Sequence, residues 1–285
     1  MNASVPSGWR TGRVRAAGVT LATYEAGSDA SDAPVVLLLH GLGHWTDGAW
    51  GRLVPRLAPE LRCVAFDLPG FGASDKPDVR YDRPFFRRIV DDATSALGLD
   101  RFALVGHSLG GFIAADWAGA QPDRVTHLAL IAPAGFSRTP RHLVFALLAR
   151  GPGRFVFTGR PSRRFVERAL IRAVADPATL DAAQIERAVE LAQDLAMRRA
   201  FGGVYAASVV TFAGRRALRA GFARYAGPVF CAWGSRDRYI HATSVRDVVR
   251  VYPRARTLLL ERSGHLPMIE QPAELAAALN PFLLS

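Results

Sequence analysis

From residue 35 to residue 260, hydrophobic positions fall into short unbroken blocks separated by stretches with helical spacing. The blocks are Val35 to Leu39, Cys63 to Phe66, Phe102 to Val105, His127 to Ala132, Pro228 to Trp233 and Arg256 to Leu260. A continuous apolar run is what a strand covered on both faces requires. Between and after them, Trp50 to Ala58, Arg83 to Leu97, Gly111 to Gly119, Ala242 to Tyr252 and Pro272 to Leu283 repeat with a helical period. The alternation of strand and helix builds a parallel sheet wrapped by helices. Ahead of it, Val14 to Ala17 and Val19 to Tyr24 flank Gly18 as a hairpin, residues 1–11 read as a polar, poorly ordered lead-in, and Ser28 to Pro34 as a loop.

The period changes between Thr139 and about Phe222. Several helical stretches follow one another with no strand block, broken at Gly151-Pro152-Gly153 and Asp176-Pro177. The expected organisation is an α/β core made of residues 1–136 and 225–285, with an all-helical insertion over 137–224. No internal repeat or low-complexity segment interrupts it.

Composition sharpens this division. The 285 residues are 49% hydrophobic and 21% charged, which excludes a disordered chain. Of the net charge of +11, +10 lies between residues 137 and 224, where 16 Arg face 6 Asp or Glu. A solvated basic face is the plain reading, and an acidic carrier protein is the partner such a face could take. The arginines are spread over many helical turns with no zinc-finger, RNP or homeodomain pattern, so nucleic acid is not expected. Cys63 and Cys231 sit in apolar strand blocks and read as buried small hydrophobes without a disulfide framework. The N-terminus has no apolar signal region, and runs such as Leu143 to Ala149 are too short to span a bilayer, so a cytoplasmic protein with no integral membrane segment is expected.

Candidate chemistry starts at Gly106-His107-Ser108-Leu109-Gly110. A Gly-x-Ser-x-Gly pentapeptide between a strand and a helix is the setting of a nucleophile elbow, a turn so tight that the hydroxyl stands clear of the sheet. Serine is a poor nucleophile at neutral pH, so Ser108 needs a base and a group to orient that base. In parallel α/β sheets these gather at the carboxyl ends of strands. His265 follows the Arg256 to Leu260 block, and Asp237 follows the Pro228 to Trp233 block, which gives the order Ser, Asp, His. Asp247, inside a helical stretch, is the weaker acid. His40 and His44 lack the HExxH glutamate and a helix to carry them, so no metal site is expected, and Gly41-x-Gly43 lacks the third glycine of a dinucleotide loop.

With these residues in view, the chain resembles the α/β-hydrolase superfamily. The resemblance rests on Gly106 to Gly110, His40-Gly41, Asp67-Leu68-Pro69-Gly70-Phe71-Gly72-Ala73-Ser74, Trp233-Gly234-Ser235-Arg236-Asp237, and Gly264-His265-Leu266-Pro267 with Glu270-Gln271-Pro272. It implies an eight-stranded, mostly parallel sheet with a helical cap inserted after the sixth strand. It also implies a Ser108, His265, Asp237 triad with no cofactor, and an oxyanion hole formed by the backbone N–H groups of Leu42 and Leu109. The candidate pocket residues are His44, His107, Phe136, Phe145, Tyr205, Phe212 and Leu266.

A serine nucleophile implies acyl transfer, and a carboxylesterase acting on a small or medium apolar ester is the leading expectation. The alternatives are a carbon–carbon bond hydrolase of aromatic degradation, a thioesterase or acyltransferase, and a receptor-like binding protein without turnover. Leu266 weighs against the carbon–carbon hydrolases, which carry tryptophan after the histidine. The cap aromatics, among them Phe155, Phe157, Phe165 and Phe201, imply an apolar acyl or aryl group in a small-molecule substrate.

Overall fold

A computed structural model describes residues 8–30, 32–57, 59–137, 144, 147–149 and 155–285. Eight strands form one sheet: β1 (Arg10–Ala16), β2 (Val19–Gly27), β3 (Val35–Leu39), β4 (Arg62–Phe66), β5 (Phe102–His107), β6 (Val125–Ile131), β7 (Val229–Gly234) and β8 (Arg256–Leu260). Their order is β1-β2-β4-β3-β5-β6-β7-β8. The pairs β1/β2 and β2/β4 are antiparallel, and the rest are parallel. The expected eight-stranded, mostly parallel sheet is therefore present.

The unbroken apolar blocks are explained by two cores. Leu37, Leu39, Leu104, Leu128 and Leu130 enter the core on one face of the sheet, while Val36, Leu38, Ala103, Val105, Ala129 and Ile131 enter the other. Alternate residues of one strand point to opposite sides, so a strand buried on both faces must be apolar throughout. Each fully buried Leu or Val contributes about 1.5–3 kcal/mol relative to exposure. Cys63 and Cys231 are buried free thiols in β4 and β7, and burial pushes both up to about 12.

Helices α3 (Arg83–Ala96) and α4 (Leu109–Ala120) cover the first face, and α2 (Val54–Leu57) and α12 (Pro272–Leu283) the second. Asp82 caps α3 by accepting from the Phe85 N–H. Two expectations need correction. The helix expected from Trp50 to Ala58 is instead α1 (Thr46–Trp50) and α2, because the chain turns at Gly51 and Pro55 removes a donor at the next start. The polar lead-in ends earlier than residue 11. Strand β1 starts at Arg10, and an exposed edge strand reads as polar because little of it is buried.

Between β6 and β7 the described elements are all helical: α5 (Phe155–Thr158), α6 (Arg163–Ala173), α7 (Ala182–Gln193), α8 (Leu195–Ala213), α9 (Arg215–Phe222) and a short turn at Pro177–Thr179. Asp181 caps α7 with a reciprocal Gln184 contact, and Arg52 of the core reaches Asp181 at 3.2 Å. After β7 come α10 (Val245–Val251), α11 (Pro267–Glu270) and α12. The helix expected from Ala242 starts as a single tight turn and becomes α10 only at Val245.

Candidate active site

Ser108 joins β5 directly to α4 with no loop between them. Its backbone takes φ 51° and ψ −111°, one of three described non-glycine residues with positive φ. Such a conformation costs about 1–3 kcal/mol and persists only where the surroundings enforce it. Here they do. The Ser108 N–H donates to the Ile131 carbonyl (3.0 Å), and the Ser108 carbonyl accepts from Phe112 (3.0 Å) and Ala134 (2.9 Å). A Cβ on Gly110 would drive into the carbonyl oxygens of Leu39 and His40, so the turn lies against the end of β3 and only glycine fits.

His265 and Asp237 arrive from the two loops after β8 and β7. The Asp237 Oδ2 lies 2.7 Å from His265 Nδ1, and His265 Nε2 lies 3.1 Å from Ser108 Oγ. The other Asp237 oxygen accepts the backbone N–H groups of Tyr239 (2.7 Å) and Ile240 (2.9 Å), which fixes the carboxylate's rotation. Asp237 is almost wholly buried. This contact requires the proton of His265 to sit on Nδ1, leaving Nε2 to accept from the serine hydroxyl. Asp247 is elsewhere, on α10, paired with Arg219 (2.7 Å) and Arg250 (3.0 Å).

The histidine loop is also held from the helical side. The His265 N–H donates to the Ala173 carbonyl at the end of α6 (2.6 Å). Glu270 accepts from Gly264 N–H with one oxygen (2.7 Å) and from Ala175 N–H with the other (2.6 Å). Gly264 faces the backbone of residues 173–175 so closely that a Cβ there would collide. Burial pushes the Glu270 carboxyl up, and its backbone N–H partners pull it back.

Two further knots shape the floor. The Asp67 carboxylate accepts from Thr46 N–H (2.7 Å), Ala73 N–H (2.7 Å) and the Tyr24 hydroxyl (3.1 Å), which ties the loops after β3 and β4 together. His40 donates from Nδ1 to the Gly41 carbonyl (2.8 Å) and accepts the Leu68 N–H on Nε2 (2.8 Å), so both ring nitrogens serve the backbone. Burial pushes its basicity down.

A cavity of about 1110 Å³ opens over Ser108 and His265. Leu42, Leu109, His44, Tyr205 and Leu266 line it. Leu109 is the first residue of α4, where backbone N–H groups have no partner within the helix. His44 is half-buried, but its Nδ1 is sealed from solvent, and burial pushes the imidazole down to about 3. Tyr205 stacks on Phe157 at 5.8 Å between centroids, and burial pushes its phenol up to about 12.

Other expected pocket residues are not on its wall. Phe136 is fully buried beneath it against Phe222 and Tyr252, because the chain turns inward after Gly135. His107 sits behind the histidine loop, donating from Nε2 to the His265 carbonyl (2.8 Å), and burial holds it well below its usual basicity. It follows that His107 touches the back of His265, since side chains alternate along β5. Phe145 lies outside the described residues, as does the side chain of Phe212.

Tyr239 was not expected at the site, and Glu270, named only as part of a matched motif, was given no role. Tyr239 lies 5.4 Å from His265 between ring centroids and donates its hydroxyl to the Ala169 carbonyl on α6 (2.9 Å). Its position two residues after Asp237 was the available signal. Glu270 gave less, because a helix-end glutamate usually faces water.

The model of the alpha/beta hydrolase fold family matches residues 34–272. An uncharacterized protein of Mycobacterium tuberculosis is 27% identical over 263 residues, spanning 89% of this chain and 76% of its own length. Among solved structures, a membrane phospholipase A, described as a bacterial virulence factor, shares 30% identity with a TM-score of 0.76, covering 97% of this chain and 86% of that one. The 2-hydroxy-6-oxo-6-phenylhexa-2,4-dienoate hydrolase of Rhodococcus has the same fold at 23% identity and TM-score 0.81, covering 97% of this chain and 99% of that one. Among the described residues no helix is long and apolar enough to cross a membrane. With a family match running from β3 to the start of α12 over an eight-stranded sheet of this order, the chain belongs to the alpha/beta hydrolase fold family.

Proposed function

We propose that the protein is a serine hydrolase that cleaves carboxylic esters with an apolar acyl group through an acyl-enzyme. The observation that carries this reading is the unbroken relay from Asp237 through His265 to Ser108, at 2.7 and 3.1 Å, opening into an apolar cavity. A binding protein has no need to hold a serine in a strained conformation beside a correctly oriented imidazole.

In this mechanism Ser108 Oγ attacks the ester carbonyl while His265 Nε2 takes its proton. Asp237 keeps the imidazole's other proton on Nδ1 and stabilises the imidazolium. The N–H groups of Leu42 and Leu109 receive the negative charge on the carbonyl oxygen, each worth a few kcal/mol. Collapse breaks the bond to the alcohol, which leaves with the proton from His265. Water then attacks the acyl-serine with His265 again as base, releasing the carboxylic acid and restoring Ser108. Residues 137–224 act as the cap, whose Phe157, Phe201 and Tyr205 enclose the acyl chain.

The test is hydrolysis of p-nitrophenyl esters from acetate to palmitate by the native protein and Ser108→Ala. Turnover that the variant loses by at least about 10⁴-fold is the expected result. If the native protein cleaves none of them and a fluorophosphonate fails to label Ser108, the reading is wrong.

A further inference from the structure

The cavity does not end at the apolar groups over Ser108. Its lining also includes Arg80, Arg83, Arg87 and Arg88 at the start of α3, an arginine-lined arm besides Phe112 and Gly135. Three of these guanidiniums pair with two carboxylates, while Asp91 and Asp92, one turn further along α3, accept from Trp117 Nε1 and the Ala17 N–H. Asp116, only 3% exposed, accepts Arg83 Nε and Nη2 (3.0 and 2.5 Å) and Arg87 Nε and Nη2 (2.7 and 2.9 Å), and Asp82 pairs with Arg80 at 3.2 Å.

The Arg83–Asp116–Arg87 group is a clamp between α3 and α4, but its charges do not balance. Two guanidiniums share one buried carboxylate, and each keeps about a third of its side-chain surface exposed (32% and 36%). Arg88 stands exposed beside them. A planar guanidinium held on one edge by a buried carboxylate offers its other edge in a fixed direction, which suits a carboxylate or phosphate.

The distance from the nucleophile follows from the helix. Ser108, Phe112 and Asp116 are spaced by four along α4, so they share one face. Eight residues at 1.5 Å each put the arginine clamp about 12 Å along the axis from Ser108. Between them the wall is apolar, with Phe112 and Ala134 on the lining.

Building on the ester-hydrolase reading, we propose that this arm is an anion subsite. It selects esters that carry a carboxylate or phosphate about 12 Å from the scissile carbonyl, across an apolar spacer. Arg87 and Arg88 are its specificity-determining residues, and the 12 Å run of α4 sets the spacer length.

The experiment compares two ester series at equal chain length: mono-p-nitrophenyl esters of α,ω-dicarboxylic acids and the corresponding methyl-ended alkanoates. The ratio of kcat/KM, acid-ended over methyl-ended, is expected to peak at one spacer length. It should fall at least tenfold in Arg87→Gln and in Arg88→Gln, while methyl-ended esters stay within about twofold. A parallel arm uses p-nitrophenyl alkanoates of the same chain lengths ending in a phosphate, which puts a phosphate where the terminal carboxylate stood. Arginine dependence in that arm alone assigns the subsite to a phosphate, and in the dicarboxylate arm alone to a carboxylate.

Arg88→Gln removes no clamp contact, so it keeps the test informative if Arg87→Gln unfolds. If methyl-ended esters are cleaved but neither variant changes the ratio in either arm, the subsite is refuted and the hydrolase reading stands. If Arg87→Gln lowers both series equally and Arg88→Gln does nothing, the clamp is only structural. No cleavage of any ester together with no fluorophosphonate labelling overturns the hydrolase reading itself.

Discussion

The loops at the carboxyl edge of the sheet and the helices between β6 and β7 border the same cavity but are built under different rules. On the sheet side, backbone geometry decides residue identity. Ser108 sits at φ 51°, Gly110 has carbonyls where a Cβ would be, and Asp67 collects three hydrogen bonds in the interior. On the helical side, Phe157, Phe201 and Tyr205 meet through ring contacts at 5.4 to 6.4 Å that another apolar residue could replace. The first region is fixed by hydrogen-bond geometry and the second by volume. Substitutions on the sheet side should therefore cost rate at nearly unchanged affinity, and those on the helical side should change which substrate fits.

The strongest test of this contrast is Asp237→Asn. The asparagine carbonyl can still accept the Tyr239 and Ile240 N–H groups, so the loop should hold. Its amide would then donate to His265 Nδ1, moving the ring proton to Nε2, where it can no longer take the serine's. Under the proposed mechanism kcat should fall about 10³ to 10⁴-fold, with KM and the melting temperature little changed. Steady-state kinetics on one p-nitrophenyl ester would decide. A loss under tenfold would mean that Asp237 does not orient the histidine.

Glu270 is where the two regions are joined, and it gives the next largest effect. Its carboxylate holds Gly264 on the histidine loop and Ala175 beyond α6 at once. In Glu270→Gln one oxygen becomes a donor facing an N–H, so one of the two bonds is lost. Displacing His265 by a fraction of an ångström should lower kcat about 10 to 100-fold, and fluorophosphonate labelling of Ser108 should slow in parallel. Equal rates of labelling in variant and native protein would show that the helical side does not position the histidine.

The same contrast explains what could be read from the sequence. The elbow, Asp237 and His265 were legible because a positive-φ serine, flanking glycines and polar residues at strand ends are unusual demands that few residue types meet. The two-faced strands were legible as apolar blocks. The break between α1 and α2 was not, because the Leu53 and Leu57 spacing suits one helix as well as two, and Pro55 and Gly51 decide. Phe136 read as pocket because an aromatic after a strand can point either way, and its direction is set by Phe222 and Tyr252 from distant parts of the chain. Tyr239 and the role of Glu270 were missed since each acts through a backbone group of α6 or the segment after it, and backbone partners leave no trace in side-chain identity.

The smallest effect concerns acid stability, which the two regions should not share. His40 and His107 are sealed beneath the sheet-side loops, and burial lowers the basicity of both. Folded, they stay neutral below the ordinary histidine value of about 6.5, whereas unfolded they take up protons there. The unfolded state thus binds more protons below pH 6.5, and stability is lost as pH falls, by up to about 1.4 kcal/mol per pH unit for each imidazole. Asp47, pushed up to about 6 chiefly by burial and then by Asp67, works in the opposite sense over the same range. Comparison with His107→Gln cancels that contribution and retains a donor for the His265 carbonyl. The variant should lose close to one proton's worth of slope in unfolding free energy between pH 6 and 5, followed by urea titration at each pH. On the helical side, Glu186→Gln breaks an exposed pair with Arg163 and should leave that slope unchanged. Equal slopes for native protein and His107→Gln would mean that His107 is protonated in the folded state, and the sheet side would then lose its claim to be the acid-sensitive half.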